Sequence, residues 1–172
     1  MNIRILFILG LFFFSALQSC QSDAKNKVEE KEITIKVPRF ERDSAFKYVA
    51  QQVAFGPRIP NTPAHIACQN YLSSSLKSFG ADVIEQKFNA KSFDGKLLNG
   101  NNIIGKFNPA AQRRILLCAH WDSRPFTDSP ITVGDKNRPV LGADDGASGV
   151  GVLLEIGVET ADHGNPQAPR RP

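Results

Sequence analysis

The sequence is poor in the features that mark several protein classes. Three cysteines are too few for a disulfide-stapled miniprotein. No internal apolar run reaches the roughly 18 residues that a spanning helix requires, which excludes an integral membrane protein. Charge of one sign is not in excess either. Basic residues number 21 and acidic residues 17, and setting Arg4 aside with the leader leaves 20 against 17. So small and dispersed a surplus lacks the basic stripe of a nucleic-acid surface, and no nucleic-acid partner is expected. What is present is an ordinary globular composition: 172 residues, 41% hydrophobic, 22% charged and 9% aromatic. That profile excludes a disordered chain or a collagen-like fibre and suits one domain.

The N-terminus reads as an address. Met1–Arg4 carries one positive charge and is followed by the 13-residue apolar block Ile5–Leu17, the layout of a secretory signal. Leu17-Gln18-Ser19-Cys20 resembles a bacterial lipoprotein box, in which cleavage precedes the cysteine and its thiol and new amino group are acylated. Two or more chains are what stable anchoring needs. Residues 1–19 are therefore expected to be a lipoprotein signal peptide, Cys20 a lipid anchor, and 20–37 a Lys- and Glu-rich tether. The protein is then exported and held on a bacterial membrane, facing periplasm or exterior. Ordinary secretion with an incidental Cys20 is the alternative.

Downstream, Asp43-Ser44 opens a helix in which Ala45, Phe46, Val49 and Val53 recur at helical spacing up to Phe55-Gly56-Pro57. Thr62-Pro63 caps a second, with Cys68, Leu72, Leu76 and Phe79 on one side and Gly80 at its close. Strands are expected at Ala81–Phe88, Asn102–Phe107 and Arg114–Ala119. The last is nearly all apolar, as in a strand covered on both faces. Cys118 inside it and Cys68 on its helix read as buried free thiols. Val150–Ile156 continues as an apolar helix after Gly142–Gly149. Helices alternating with buried strands argue for a layered α/β fold. After Gly157, the run Val158–Pro172 shows no apolar periodicity and reads as a disordered tail. Another buried strand belongs there, so either the sheet is small or the chain is a fragment, the second being the expectation.

Two segments carry chemistry. His120-Trp121-Asp122-Ser123 follows directly on the apolar run, and strand alternation puts His120 and Asp122 on one face. A carboxylate two residues from an imidazole can accept its second N–H and fix the tautomer for metal binding. Asp144-Asp145-Gly146 opens the last helix. One carboxylate suffices for capping; two adjacent ones are costly unless a cation neutralises them. Together the segments suggest a shared metal site.

With Asn102-Ile103-Ile104 and Phe107-Asn108-Pro109, the stretches Arg114–Ser123 (RILLCAHWDS) and Gly142–Gly149 (GADDGASG) resemble the bacterial zinc-dependent glutaminyl-peptide cyclotransferases. These are of the animal type and share the fold of the co-catalytic zinc aminopeptidases. The resemblance runs from about Asp43 to Ile156. It implies a three-layer α/β sandwich with a mixed, mostly parallel central sheet flanked by helices, truncated in this chain. Residues 38–157 are then the N-terminal part of the catalytic domain, and 158–172 a tail unlike the family.

The resemblance also implies roles. Asp145 is a zinc ligand, and His120 is one only in the dinuclear arrangement of the aminopeptidases, otherwise lining the pocket. Asp122 orients His120, and Trp121 packs beside the site. The family's remaining ligands, a Glu and a distant His, and its Glu acid/base lie beyond the point where the tail begins. Glu155, ten positions after Asp145, is about 15 Å away along a helix, far outside a zinc–oxygen bond of about 2.0–2.2 Å. Glu159 and His163 fall in the tail, and His65 is assigned to the polar face of its helix. The expectation is an incomplete, inactive part of a one-zinc cyclotransferase acting on peptide or protein N-termini. A two-zinc aminopeptidase and a non-catalytic lipoprotein fragment are the alternatives.

Overall fold

The structure is a computed structural model that describes residues 37–127, 134 and 137–164, with side chains to 161. The signal peptide, Cys20 and nearly all of the tether lie outside the described residues, as do 165–172. Helix α1 spans Arg42–Ala54 and α2 spans Pro63–Ser78. Strand β1, Asp82–Lys91, and strand β2, Leu97–Lys106, form a two-stranded antiparallel sheet. A kinked turn at Ala143–Ala147 leads into α3, Ser148–Gly164.

Local chemistry sets these boundaries. The Thr62 hydroxyl accepts from the His65 N–H at 3.3 Å, and Pro63 occupies the first helical position of α2. Gly80, at φ +82°, ends that helix, its N–H donating to the Lys77 carbonyl at 2.9 Å. The hairpin pairs Asp82 with Lys106, Ile84 with Ile104 and Phe88 with Gly100. The Phe88 ring fills the space a side chain at residue 100 would take.

The core lies between α2 and α3. Cys68 and Leu72 meet Val150 and Leu154, with Tyr48, Phe55, Leu76, Phe79, Ile103 and Trp121 packed around them. Helices α1 and α3 cross closely at Gly151, where a Cβ would stand 2.8 Å from the Ala45 carbonyl oxygen. Phe46, expected on the buried face of α1, is 71% exposed. Gln52 is buried instead, donating to the Ala147 carbonyl at 3.1 Å and so tying α1 to the kinked turn.

Three expectations are corrected. Residues 114–119 form no strand: among the described residues nothing pairs with them, and Ile115 and Leu116 are 88% and 84% exposed. A strand covered on both faces takes its burial from neighbours, and without them its apolar side chains face solvent. Cys118 is consequently exposed, whereas Cys68 is buried. Nor does the chain lose order at Val158. Helix α3 runs to Gly164, and Val158 and Ala161 are buried because they continue the face of Leu154 at helical spacing; Glu159 therefore stands on α3. The fold is α/β, and the described residues contain one sheet, of two antiparallel strands.

Candidate functional site

The site forms where the segment after the apolar run meets the kinked turn before α3. His120 Nδ1 lies 3.3 Å from Asp122 Oδ1, and its Nε2 lies 3.0 Å from Asp145 Oδ1. The turn makes this approach possible. Asp145 has an extended ψ of 94°, and Gly146 follows at φ +108°, a conformation closed to most side chains. A Cβ at Gly146 would also stand 2.9 Å from the Asp122 carbonyl oxygen and 3.1 Å from His120 Cε1. Glycine is thus required twice over, by backbone conformation and by the space the imidazole occupies.

A carboxylate oxygen stands against each nitrogen of the His120 ring. If the Nδ1–H donates to Asp122, the Nε2 lone pair faces a carboxylate oxygen, acceptor against acceptor. A metal ion held between Nε2 and the carboxylate would remove that conflict. On its other oxygen Asp145 accepts from Arg124 Nη2 at 2.6 Å. The Arg124 hydrogen bond and charge, with His120 adding to them, hold the Asp145 carboxyl below its ordinary range. Arg124 thereby supplies part of the neutralisation that the Asp144–Asp145 pair calls for.

The donor set fits zinc in kind, an imidazole nitrogen and a carboxylate oxygen facing one another. It falls short in number, since zinc takes about three protein ligands plus an open position. Among the described residues no group of three or more His, Cys, Asp or Glu side chains is placed to hold a metal ion. Glu155 is fully buried away from the site, accepting from the Glu41 N–H at 3.0 Å.

Two residues behind the site escaped the sequence reading. His65, expected on a polar face, is buried, and its ring stacks on Trp121 at 4.0 Å with planes 23° apart. Burial lowers its pKa, with the Asp122 charge opposing. Trp121 is fixed at its far end too, its indole N–H donating to the Asn101 carbonyl on β2 at 3.2 Å. Arg58 is the other, fully buried behind the two segments. The one usable signal was position: His65 lies one turn before Cys68 on the apolar side of α2.

Comparison with known proteins places this geometry. Residues 102–171 match the model of peptidase family M28. A Zn-dependent exopeptidase from Parabacteroides distasonis superposes with a TM-score of 0.72 at 51% identity, over 77% of this chain and 45% of that one. That neighbour is of the zinc exopeptidase class, and what the chain shares with it is the α/β fold. Within it, the chain resembles the bacterial glutaminyl cyclases. The Bacteroides thetaiotaomicron glutaminyl cyclase bound to N-acetylhistamine gives a TM-score of 0.71 at 50% identity, over 74% of this chain and 44% of that one. The glutaminyl-peptide cyclotransferase of Drosophila melanogaster is 29% identical over 100 residues, 58% of this chain and 26% of that protein. The chain thus spans less than half the length of these relatives.

Proposed function

We propose that the complete protein is a glutaminyl-peptide cyclotransferase, converting N-terminal glutamine of peptides or proteins to pyroglutamate. In that reaction the α-amine forms a bond to the side-chain carboxamide carbon, the C–N bond to the amide nitrogen breaks, and ammonia leaves. The observation that carries the reading is the approach of His120 to Asp145, set in a chain 50% identical to a glutaminyl cyclase. Asp145 would hold zinc together with ligands that the described residues do not supply. When bound, the ion would polarise the carboxamide carbonyl and stabilise negative charge on its oxygen. Asp122 would keep the His120 ring oriented, and Trp121, pinned between His65 and Asn101, would wall the pocket. We read the complete fold as the three-layer sandwich with a mixed, mostly parallel sheet. We also read the protein as exported and lipid-anchored through Cys20, on the strength of the leader.

The test uses the full-length protein and two substrates. Ammonia release from a glutaminyl peptide, with about one zinc per chain, is expected. Hydrolysis of a leucyl anilide with two zincs would replace the reading by the aminopeptidase one. The second reading would use the same two groups, with His120 Nε2 beside Asp145 Oδ1 as a further ligand.

A further inference from the structure

Arg58 is a fully buried cation in the loop between α1 and α2, and its guanidinium binds a set of backbone carbonyls. Its Nε–H donates to the Trp121 carbonyl at 2.8 Å. Nη1 donates to the Leu141 carbonyl at 2.8 Å and to the Gln52 carbonyl at 3.3 Å, and Nη2 to the Gly142 carbonyl at 2.7 Å. Its own carbonyl accepts the Ser123 N–H at 3.1 Å. These partners are not scattered. Trp121 lies between His120 and Asp122, while Leu141 and Gly142 lead into Asp144-Asp145. The two segments are joined by no described strand pairing, and one planar fork spans them.

Burying a guanidinium is costly, and desolvation lowers the pKa of Arg58. A core without a polar site to organise gains nothing from it that an apolar side chain would not supply. Geometry accounts for the choice, because a fork with five donors in fixed directions can set the distance and angle between two loops. Gly142 belongs to the same device. At φ +63° its missing Cβ would stand 2.9 Å from Arg58 Nη2 and 2.9 Å from the Ser123 Cβ.

We propose that Arg58 is a positioning residue, a buried clamp that holds the His120–Asp122 segment against the Gly142–Asp145 segment so that His120 meets Asp145. The zinc consequence rests on the functional reading above; the positional one does not. The full chain is compared with Arg58→Lys, which keeps the charge but loses the fork, and Arg58→Gln. The first readout needs no metal. It is the nuclear Overhauser contact between His120 Hε1 and the Gly146 Hα protons, referenced to contacts between the Phe55 and Tyr71 rings, whose centroids are 5.7 Å apart. Loss of the first contact in Arg58→Gln and weakening in Arg58→Lys, with the ring contacts intact, is expected. Persistence of the His120–Gly146 contact at wild-type strength in either folded variant overturns the proposal. So does joint loss of both sets of contacts in both variants, which would make Arg58 a support of the whole core. The second readout is Zn²⁺ affinity by chelator competition. A loss of about tenfold on removing the clamp is expected, and Arg58→Gln should add nothing in an Asp145→Asn background. If wild type and Asp145→Asn bind Zn²⁺ equally, the zinc reading fails while the proton contacts still decide the clamp.

Discussion

At the scale of single residues, the site is a stack of supports behind a small exposed face. His120 and Asp145 are open to solvent, while His65 and Arg58, which touch the ring and the backbone of Trp121, are buried. A buried histidine held neutral has a measurable signature. Its folded pKa lies below its unfolded value, so it stabilises the fold above about pH 6.5 and that stability is lost as pH falls through the window beneath. Between pH 7 and 5.5 the wild type should lose a few degrees of Tm more than His65→Phe, which keeps an aromatic partner for Trp121 but cannot titrate. Carboxylates contribute equally to both proteins and cancel in the difference. Trp121 is the only tryptophan, so its fluorescence follows both melts without ambiguity. Identical pH dependence in the two proteins would show that the buried ring does not titrate in this window.

At the scale of elements, close backbone approaches fix how the helices sit, and Gly151 is the sharpest case. A helix-interior glycine replaced by alanine ordinarily gains about 1 kcal/mol of helix propensity. In α3 the added methyl would meet the Ala45 carbonyl and the Val49 side chain, each at 2.8 Å, and overpacking of that kind costs about 1–3 kcal/mol. Gly151→Ala should therefore destabilise the protein by about 1 kcal/mol net in a denaturant melt, against the propensity trend. Stabilisation by the alanine would mean that α1 and α3 lie further apart. These elements were legible to very different degrees. Helix α2 announced itself through Thr62-Pro63 and Gly80, and β1 and the second half of β2 through their composition, whereas residues 97–101 went unread. Residues 114–119 were misread because burial on both faces belongs to neighbouring strands, not to the segment itself. The end of α3 was misread because prolines further on obscured Val158 and Ala161, which extend the face of Leu154 by about two more turns. In the site, His120, Asp122 and Asp145 carried chemistry that spacing could expose. Arg58 did not, because its partners are backbone carbonyls as far as 84 residues away, and a carbonyl leaves no mark in a sequence.

At the scale of the whole molecule, the described residues leave an apolar surface that the core does not use. Ile115, Leu116 and Leu117 face solvent, and with Leu76, Ile104, Phe107, Leu153 and Ile156 they line an open cavity of about 910 Å³. Two physical situations would give the same apolar sequence, and substitution separates them. If 114–119 were a strand covered on both faces, a lysine at 115 and another at 116 would each bury a charge, and the fold would be lost. At exposures of 88% and 84%, surface substitutions away from any special feature change stability by about 0.5 kcal/mol or less. The double variant Ile115→Lys, Leu116→Lys should then melt within about 5 °C of wild type. It should also bind less of a fluorescent hydrophobic dye and associate less than wild type at equal concentration, because charge breaks an apolar, strand-prone window. A fall in Tm of more than about 10 °C would place these side chains in a packed interior after all. The same measurement bears on the site, since Ala119 joins this run directly to His120 and its Cβ lies 2.9 Å from the Cβ position of Gly149. An apolar run that tolerates two lysines while His120 keeps its contact with Gly146 would mean that the site is held from behind, by α3, Arg58 and His65, and not by the segment that leads into it.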